Sequence, residues 1–128
     1  MMFNFPKTKP AAHQKLNKRG EAFGWCHGAT REMLRSLINE IRPKVIAEIG
    51  SFMGQSTNFL CDSSDAKIYC IDHWKGSKEH QGIYRNIYDT FIVNVLENRK
   101  RIKIVKGTSV CGLVALKTKK VKPSISER

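Results

Sequence analysis

The sequence has no long apolar run, no closely paired cysteines and very little acid at either end. No stretch approaches the roughly 20 apolar residues that a membrane-spanning helix requires, and residues 1–9 lack the apolar core of a secretory signal. We therefore expect a cytoplasmic protein with no membrane partner. The four cysteines form no C-x-x-C pair and fit no zinc-binding spacing, so we predict reduced thiols and no metal site.

Acidic residues are scarce at the two ends of the chain but not in its middle. Residues 1–19 contain five Lys or Arg and no acid, and residues 99–128 contain ten Lys or Arg and one acid. Residues 20–98 contain eight basic and ten acidic residues, so the net charge of +12 arises in the ends. Basic ends can bind phosphate backbones, but they also occur as solvated tails, and no aromatic residue for base stacking follows Phe91.

Composition divides the 128 residues into one folded domain with two basic flanks. Residues 1–23 are interpreted as a basic flexible arm, 24–116 as an incomplete α/β domain, and 117–128 as a basic disordered tail. The content of 41% apolar and 27% charged residues is ordinary for a globular protein of one domain.

Within the domain, apolar periodicity alternates between the patterns of helices and strands. Apolar residues at three- and four-residue spacing predict amphipathic helices over 31–41 and 83–96, and a shorter helix is expected to begin near Gln55 or Ser56. Short apolar runs predict three parallel strands: Val45–Ile49, Lys67–Ile71 and Ile102–Val105. We expect the first of these strands to be buried on both faces. The alternation predicts a Rossmann-like parallel sheet with flanking helices, truncated to about three strands.

A glycine turn joins the first predicted strand to its helix. Gly50 would allow a sharp turn, and Gly54 would allow the helix to begin close to a ligand. Ser51 and Ser56 place hydroxyl groups beside the free amides of the helix start. Asp72 ends the second strand 22 residues after Gly50, near the roughly 20-residue offset of an acid that accepts hydrogen bonds from ribose hydroxyls. The pattern therefore predicts a ligand that contains an adenosine-like ribose.

Two residues near the turn argue against a dinucleotide. The spacing G-x-G-x-x-G would require a glycine at position 52, where Phe52 would obstruct a diphosphate. Glu48 places negative charge just before the turn, which suits an amine or a sulfonium better than a diphosphate. We therefore predict S-adenosylmethionine as the cofactor, and an NAD-binding half of a Rossmann domain is a disfavoured alternative.

Two segments, A-E-I-G-S-F-M-G-Q-S-T and C-I-D-H-W-K-G, resemble class I S-adenosylmethionine-dependent methyltransferases, most closely the small-molecule O-methyltransferase-like group. The resemblance covers about residues 24–109, which correspond to the N-terminal half of such a domain. It implies methyl transfer to an acceptor, expected to be a small molecule. It also implies contacts with the methionine part of the cofactor from Glu48, Gly50 and Gly54, and with the ribose and adenine from Asp72, His73 and Trp74. For Trp74, stacking on adenine and packing beneath the loop are both open.

The resemblance ends before the strands that carry catalytic groups in the family. The only acid after Ser109 is Glu127, so no catalytic residue is identified. Without a fourth strand, Val45–Ile49 would become an open apolar edge, and we expect the chain to be unstable or to form homo-oligomers through it. Two functions from different classes stay open: a methyltransferase, truncated or inactive, and a non-catalytic basic module that binds RNA or another acidic partner.

Overall fold

The protein forms one sheet whose three main strands are parallel. A computed structural model describes residues 2–3, 5–6, 24–76 and 86–108. In chain order the elements are β1 (Met2–Phe3), α1 (Gly28–Ile41), β2 (Val45–Ile49), α2 (Gln55–Ser63), β3 (Lys67–Asp72), α3 (Ile87–Asn94), a 3-10 helix (Leu96–Arg101) and β4 (Ile102–Lys106). The strand order is β1-β4-β3-β2, with β2, β3 and β4 parallel and β1 antiparallel to β4.

This arrangement confirms the predicted Rossmann-like α/β fold with three parallel strands. The additional strand β1 lies within residues 1–23, which were interpreted as a flexible arm, so that interpretation is wrong for Met2–Phe3. A strand of two residues is too short to show an alternating apolar pattern, so the sequence does not distinguish it from a loop. No described helix is long and apolar enough to cross a membrane.

The carboxyl ends of the parallel strands meet at one edge of the sheet. Two hydrogen bonds extend the ladder beyond the strands at this edge: Gly50 N donates to Ile71 O over 2.8 Å, and Gly107 N donates to Asp72 O over 2.9 Å. The glycine turn and the acid of the second parallel strand are therefore held side by side. This edge is where ligands bind in open α/β sheets.

One face of the sheet packs against the helices to form the main core. Because strand side chains alternate between faces, every second residue of β3 and β4 enters this core. The largest of its members with at most 1% of their surface exposed are Met53, Ile68, Phe91, Ile92, Val95 and Ile104. Burial of a side chain of this size contributes about 1.5–3 kcal/mol relative to an exposed one, so the cluster holds the helices on the sheet. The predicted burial of Cys61 and Cys70 is also confirmed.

Helix α1 ends where the sequence predicts. Arg42 adopts a left-handed conformation with φ 50°, and its N–H donates to Ile38 O over 2.7 Å. Pro43 follows and cannot continue the helix because it lacks an N–H group. At the other end, α1 begins at Gly28, earlier than the predicted helix over 31–41.

The apolar pattern over 83–96 marks a helix that is shorter than predicted. In the structure α3 ends at Asn94, and the chain then tightens into the 3-10 helix Leu96–Arg101, which reaches the start of β4. Residues 83–85 of the predicted helix lie outside the described residues. Phe91 of this pattern is fully buried and Tyr88 packs against the same core, as expected for an apolar stripe.

Strand β2 lies at one edge of the sheet, and the prediction that it is buried on both faces is wrong. β3 pairs with one side of β2, and no strand of the described residues pairs with the other. Ala47 is exposed, and Ile49 has 51% of its surface exposed. The open edge expected from the strand count is therefore present among the described residues.

Arg101 ties the end of α2 to the start of β4. Its Nη1 donates to Cys61 O over 2.9 Å, its Nη2 to Ser64 O and to Ala66 O over 3.1 Å, and its Nε to Ala66 O over 3.2 Å. These carbonyl groups belong to the last turn of α2 and the loop after it. A guanidinium group suits this position because its planar set of donors can satisfy several carbonyls at a helix C-terminus.

Candidate functional site

The glycine turn between β2 and α2 needs glycine for two different reasons. Gly50 has φ 84°, but a Cβ atom added to it would meet nothing within 4 Å, so the backbone conformation alone favours glycine there. Gly54 has φ 92° and is the N-cap of α2. A Cβ atom at Gly54 would lie 2.5 Å from Val95 Cγ1, so glycine also allows α2 to approach the end of α3.

Asp72 organises the loops at the carboxyl ends of β2 and β3. Its Oδ2 accepts from Phe52 N over 2.8 Å, and its Oδ1 accepts from Trp74 N over 2.9 Å. Both Phe52 and Trp74 have positive φ, 50° and 54°, which is strained for residues with a side chain. Each carboxylate oxygen retains a further lone pair, so Asp72 can hold the loops and still accept from a ligand.

Trp74 packs beneath the loop. Its side chain is only 5% exposed, and its Nε1 donates to Phe52 O over 2.9 Å. Its ring lies 5.3 Å from Tyr88 in an edge-to-face arrangement and 4.9 Å from Phe91, measured between centroids. Of the two roles left open from sequence, packing accounts for these contacts.

His73 is more accessible than Asp72 and Trp74, the residues on either side of it. Its side chain is 42% exposed, and its Nδ1 lies 3.9 Å from Asp72 Oδ1. The same Nδ1 accepts from Lys75 N over 2.9 Å. This bond places the proton of a neutral imidazole on Nε2, so His73 can offer an N–H donor from that side of the ring.

Two clefts lie beside each other at the edge formed by these loops. The strand-end cleft has a volume of about 250 Å³ and is lined by Trp25, Gly50, Phe52, Asp72, His73, Trp74 and Gly76. The helix-start cleft has a volume of about 300 Å³ and is lined by Gly24, Trp25, Cys26, Thr30, Leu34, Gly50, Ser51, Phe52, Met53, Gln55 and Ser56. Trp25, Gly50 and Phe52 line both clefts. The rings of Trp25 and Phe52 lie 5.3 Å apart at this junction.

Two residues that line the helix-start cleft each carry a buried polar atom without a hydrogen-bond partner within the described part of the chain. Ser51 is 1% exposed and its Oγ is unpaired, and Gln55 is 5% exposed and its Nε2 is unpaired. An unpaired buried donor costs about 1–3 kcal/mol, so such atoms require a ligand or water to offset the loss. Gln55 is the first residue of α2, and Ser51 lies in the turn before it. The first backbone N–H groups of a helix also lack intrahelical partners. This cleft therefore suits a ligand group that accepts several hydrogen bonds.

Glu48 points into the underside of α2 rather than into either cleft. Its Oε1 accepts from Thr57 Oγ1, and Thr57 is fully buried on α2. Its Oε2 is buried without a partner among the described residues. The expectation that Glu48 lines the methionine part of a cofactor has no support in this geometry, because Thr57 occupies one of its oxygens from the helix side.

The buried cysteines near this region are poor nucleophiles. Burial raises the pKa of the Cys61 thiol to about 11, with the carboxylates of Asp62 and Glu48 adding to the shift and Arg101 opposing it. Burial, and then the Glu48 carboxylate, raise the pKa of the Cys70 thiol beyond the usual range of thiols. Both groups therefore remain protonated near neutral pH and serve as small core residues.

A larger cleft lies at the opposite end of the sheet. It has a volume of about 540 Å³ and is lined by Ile38, Asn39, Arg42, Pro43, Lys44, Ser63, Ser64 and Asp65. These residues lie at the amino ends of β2 and β3, next to the C-termini of α1 and α2. Ligands in open α/β sheets bind beyond the carboxyl ends of the strands, so size alone does not make this cleft the candidate site.

The structure brings most of the predicted cofactor-binding residues together. Six of them line the two clefts: Gly50, Ser51, Ser56, Asp72, His73 and Trp74. The other two line neither cleft. Glu48 accepts a hydrogen bond from Thr57 of α2, and Gly54 is the N-cap of that helix. Which of these residues contact a ligand stays a prediction.

The residues of the clefts that were not predicted from the sequence include Trp25, Phe52 and Gln55. The available signal was a polar amide placed directly after the N-cap glycine of a helix. No group of three or more metal-ligating side chains occurs within the described ranges.

Comparison with known proteins gives likenesses in structure only. No family model and no curated protein matches the sequence. Similar solved structures include a candidate O-methyltransferase from Nostoc punctiforme, with a TM-score of 0.43 and 16% identity over 61% of this chain and 21% of that chain. They also include CmcI in its apo form, with a TM-score of 0.44 and 16% identity over 86% of this chain and 48% of that chain. A third is CmcI with SAH, with a TM-score of 0.46 and 18% identity over 84% of this chain and 57% of that chain.

The chain spans 21% to 57% of the length of these three structures. Their descriptions apply to those proteins. In this chain, the parallel sheet, the glycine turn and the acid at the end of β3 form a Rossmann-like arrangement, as the alternation of helices and strands predicted.

Proposed function

We propose that this chain binds S-adenosylmethionine across the two clefts and supports methyl transfer to a small-molecule acceptor. The observation that carries the proposal is that the two clefts, which meet at Gly50, are lined by polar groups of different kinds. Asp72 offers a carboxylate in the strand-end cleft, and Ser51 and Gln55 offer unpaired donors in the helix-start cleft. A ligand with a ribose at one end and an acceptor-rich tail at the other matches this pattern.

Asp72 would hold the ribose. A carboxylate accepts from a vicinal diol through charge-assisted hydrogen bonds, which orient the sugar firmly. The backbone N–H groups of Phe52 and Trp74 fix this carboxylate at 2.8 and 2.9 Å, so it is preorganised before a ligand arrives. His73, next in the chain, can donate from Nε2 toward the same side of the loop.

The start of α2 would hold the methionine tail of the cofactor. Bound S-adenosylmethionine supplies a methyl group on a positively charged sulfur, and its transfer depends mainly on the position of the acceptor. The rings of Trp25 and Phe52 lie where the two clefts join, so they would flank the centre of a ligand that spans both. Aromatic faces attract cations and exclude water, which suits a sulfonium group. We assign no catalytic base.

Isothermal titration calorimetry tests the proposal with S-adenosylmethionine, S-adenosylhomocysteine and NAD on the purified chain. We expect saturable binding of the two adenosyl ligands and none of NAD, because Phe52 stands where a dinucleotide requires glycine. Asp72→Ala should lower the affinity for both adenosyl ligands at least about tenfold, as expected for the loss of one charge-assisted hydrogen bond. Asp62→Ala is the matched control, because Asp62 is exposed on α2.

Failure of both adenosyl ligands to bind the folded chain would reject the proposal. The alternative of a basic module that binds RNA rests on the chain ends, most of which lie outside the described residues. Steep salt dependence of RNA affinity, without adenosyl binding, would favour that alternative.

A further inference from the structure

Only one of the two polar atoms of the Gln55 side-chain amide has a hydrogen-bond partner within the described part of the protein. It is the first residue of α2, and its Oε1 accepts from Cys26 N over 2.8 Å. Its Nε2 is buried, has no partner among the described residues and belongs to a residue that lines the helix-start cleft. The amide oxygen is therefore committed to the segment before α1, whereas the amide nitrogen has no hydrogen-bond partner among the described residues.

The contact between Gln55 and the segment 24–26 is closely built. A Cβ atom at Gly24 would lie 2.5 Å from Gln55 Oε1 and 2.8 Å from Gln55 Cβ, so only glycine allows this approach. On the other side, Cys26 O accepts from Arg31 Nε over 2.7 Å. The Cys26 residue is thus fixed through both its N–H and its carbonyl group.

This double attachment determines where Trp25 lies. Trp25 directly precedes the fixed residue, and its ring lines both clefts against Phe52. Its side chain is 58% exposed, so the position of the ring depends strongly on the anchored backbone beside it. Gln55 therefore connects a ligand group in the helix-start cleft to the aromatic wall above that ligand.

The chemistry of the helix-start cleft selects a carboxylate. Gln55 Nε2 can only donate, Ser51 Oγ can donate, and the first N–H groups of α2 lie at the positive end of the helix dipole. Among the described residues, no Lys, Arg, Asp or Glu side chain lines this cleft. An ammonium group would find no charged acceptor in that lining, whereas a carboxylate would satisfy the two unpaired atoms.

We propose that Gln55 selects cofactors by the carboxylate of their amino-acid tail and, through its amide oxygen, holds Trp25 over the bound molecule. The inference rests on the proposed binding of an adenosyl ligand and assigns a specificity to one residue of that site. Gln55 acts on the ligand through Nε2 and on Trp25 through Cys26.

The decisive comparison uses S-adenosylmethionine and its decarboxylated form, which differ only in the carboxylate. Calorimetry on the wild-type chain should give at least about tenfold tighter binding of the carboxylated ligand, as expected for a charge-assisted hydrogen bond. Gln55→Glu keeps an oxygen for Cys26 N but replaces the donor by a negative oxygen. The preference should then disappear or reverse in favour of the decarboxylated ligand.

Two further variants separate selection from stability. Asp72→Ala should weaken the binding of both ligands by the same factor, because the ribose and the loops that Asp72 holds are common to the two complexes. Ser51→Ala should reduce the preference without removing it, and it provides the test if Gln55→Glu does not fold, which thermal unfolding would show.

An equal affinity of the wild-type chain for the two ligands would overturn the inference while leaving the proposed function intact. A Gln55→Glu variant that folds and keeps the wild-type preference would also overturn it. If neither ligand binds the wild-type chain, the proposed function itself fails, so the two failures are distinguishable.

Discussion

Replacement of Arg101 by alanine tests how the structure holds α2 against the sheet. The guanidinium donates to the carbonyl groups of Cys61, Ser64 and Ala66, which belong to the C-terminal end of α2 and the loop that leads into β3. A hydrogen bond from a charged donor contributes about 1.5–3 kcal/mol, but part of this site is accessible to water, which can replace some of the lost bonds.

We therefore expect Arg101→Ala to lower the free energy of unfolding by about 2 kcal/mol, equivalent to a fall of roughly 5–10 °C in Tm. Arg101→Lys should lose about half as much, because an ammonium group cannot span three carbonyls in one plane. Urea unfolding followed by circular dichroism measures the difference. Arg99→Ala is the matched control, since its side chain is exposed and donates to Leu96 O within its own 3-10 helix.

Equal stability of the Arg101→Ala and Arg99→Ala variants would refute this reasoning. It would mean that water satisfies the carbonyl groups of the α2 end as well as the guanidinium does. A large loss in both variants would also contradict it. Removal of one positive charge reduces self-repulsion in a chain with a net charge of +12, so net charge would not explain such a loss.

Three further predictions follow from burial and exposure. Gly54→Ala should destabilise the chain by about 2–4 kcal/mol in urea unfolding, because its Cβ would meet Val95 and its φ is positive; a loss below about 1 kcal/mol would contradict this. We propose that the open edge of β2 mediates self-association, so light scattering should show a concentration-dependent oligomer that Ile49→Lys reduces; a stable wild-type monomer would reject the idea. Because the pKa of Cys61 is raised to about 11, its thiol should react with iodoacetamide at about pH 8 far more slowly in the folded than in the urea-unfolded chain, and equal rates would contradict the burial.

The parallel sheet could be predicted because its signals are local. Apolar runs that end at Gly50 and Asp72 mark the two strands and their turn, and both strands occur at those positions. The exposure of β2 could not be predicted from its apolar run alone, since a run of this kind is the same for a central strand and for an edge strand.

The contacts that shape the site depend on residues distant in sequence. Trp74 donates to Phe52, and Gln55 accepts from Cys26, across separations of 22 and 29 residues. No spacing rule connects such pairs, so the burial of Trp74 and the part played by Gln55 emerge only from the fold. Arg101 belongs to a run of basic residues that in sequence is indistinguishable from a solvated edge.

The central claim is that an adenosyl ligand lies across the two clefts at the carboxyl ends of the strands. Amide NMR spectra of the labelled chain, recorded during titration with S-adenosylhomocysteine, locate the bound ligand directly. We expect saturable shifts at residues 50–56 and 72–74 and unchanged signals at Arg42, Lys44 and residues 63–65 of the larger cleft. Shifts confined to the larger cleft, or no saturable shifts, would contradict it.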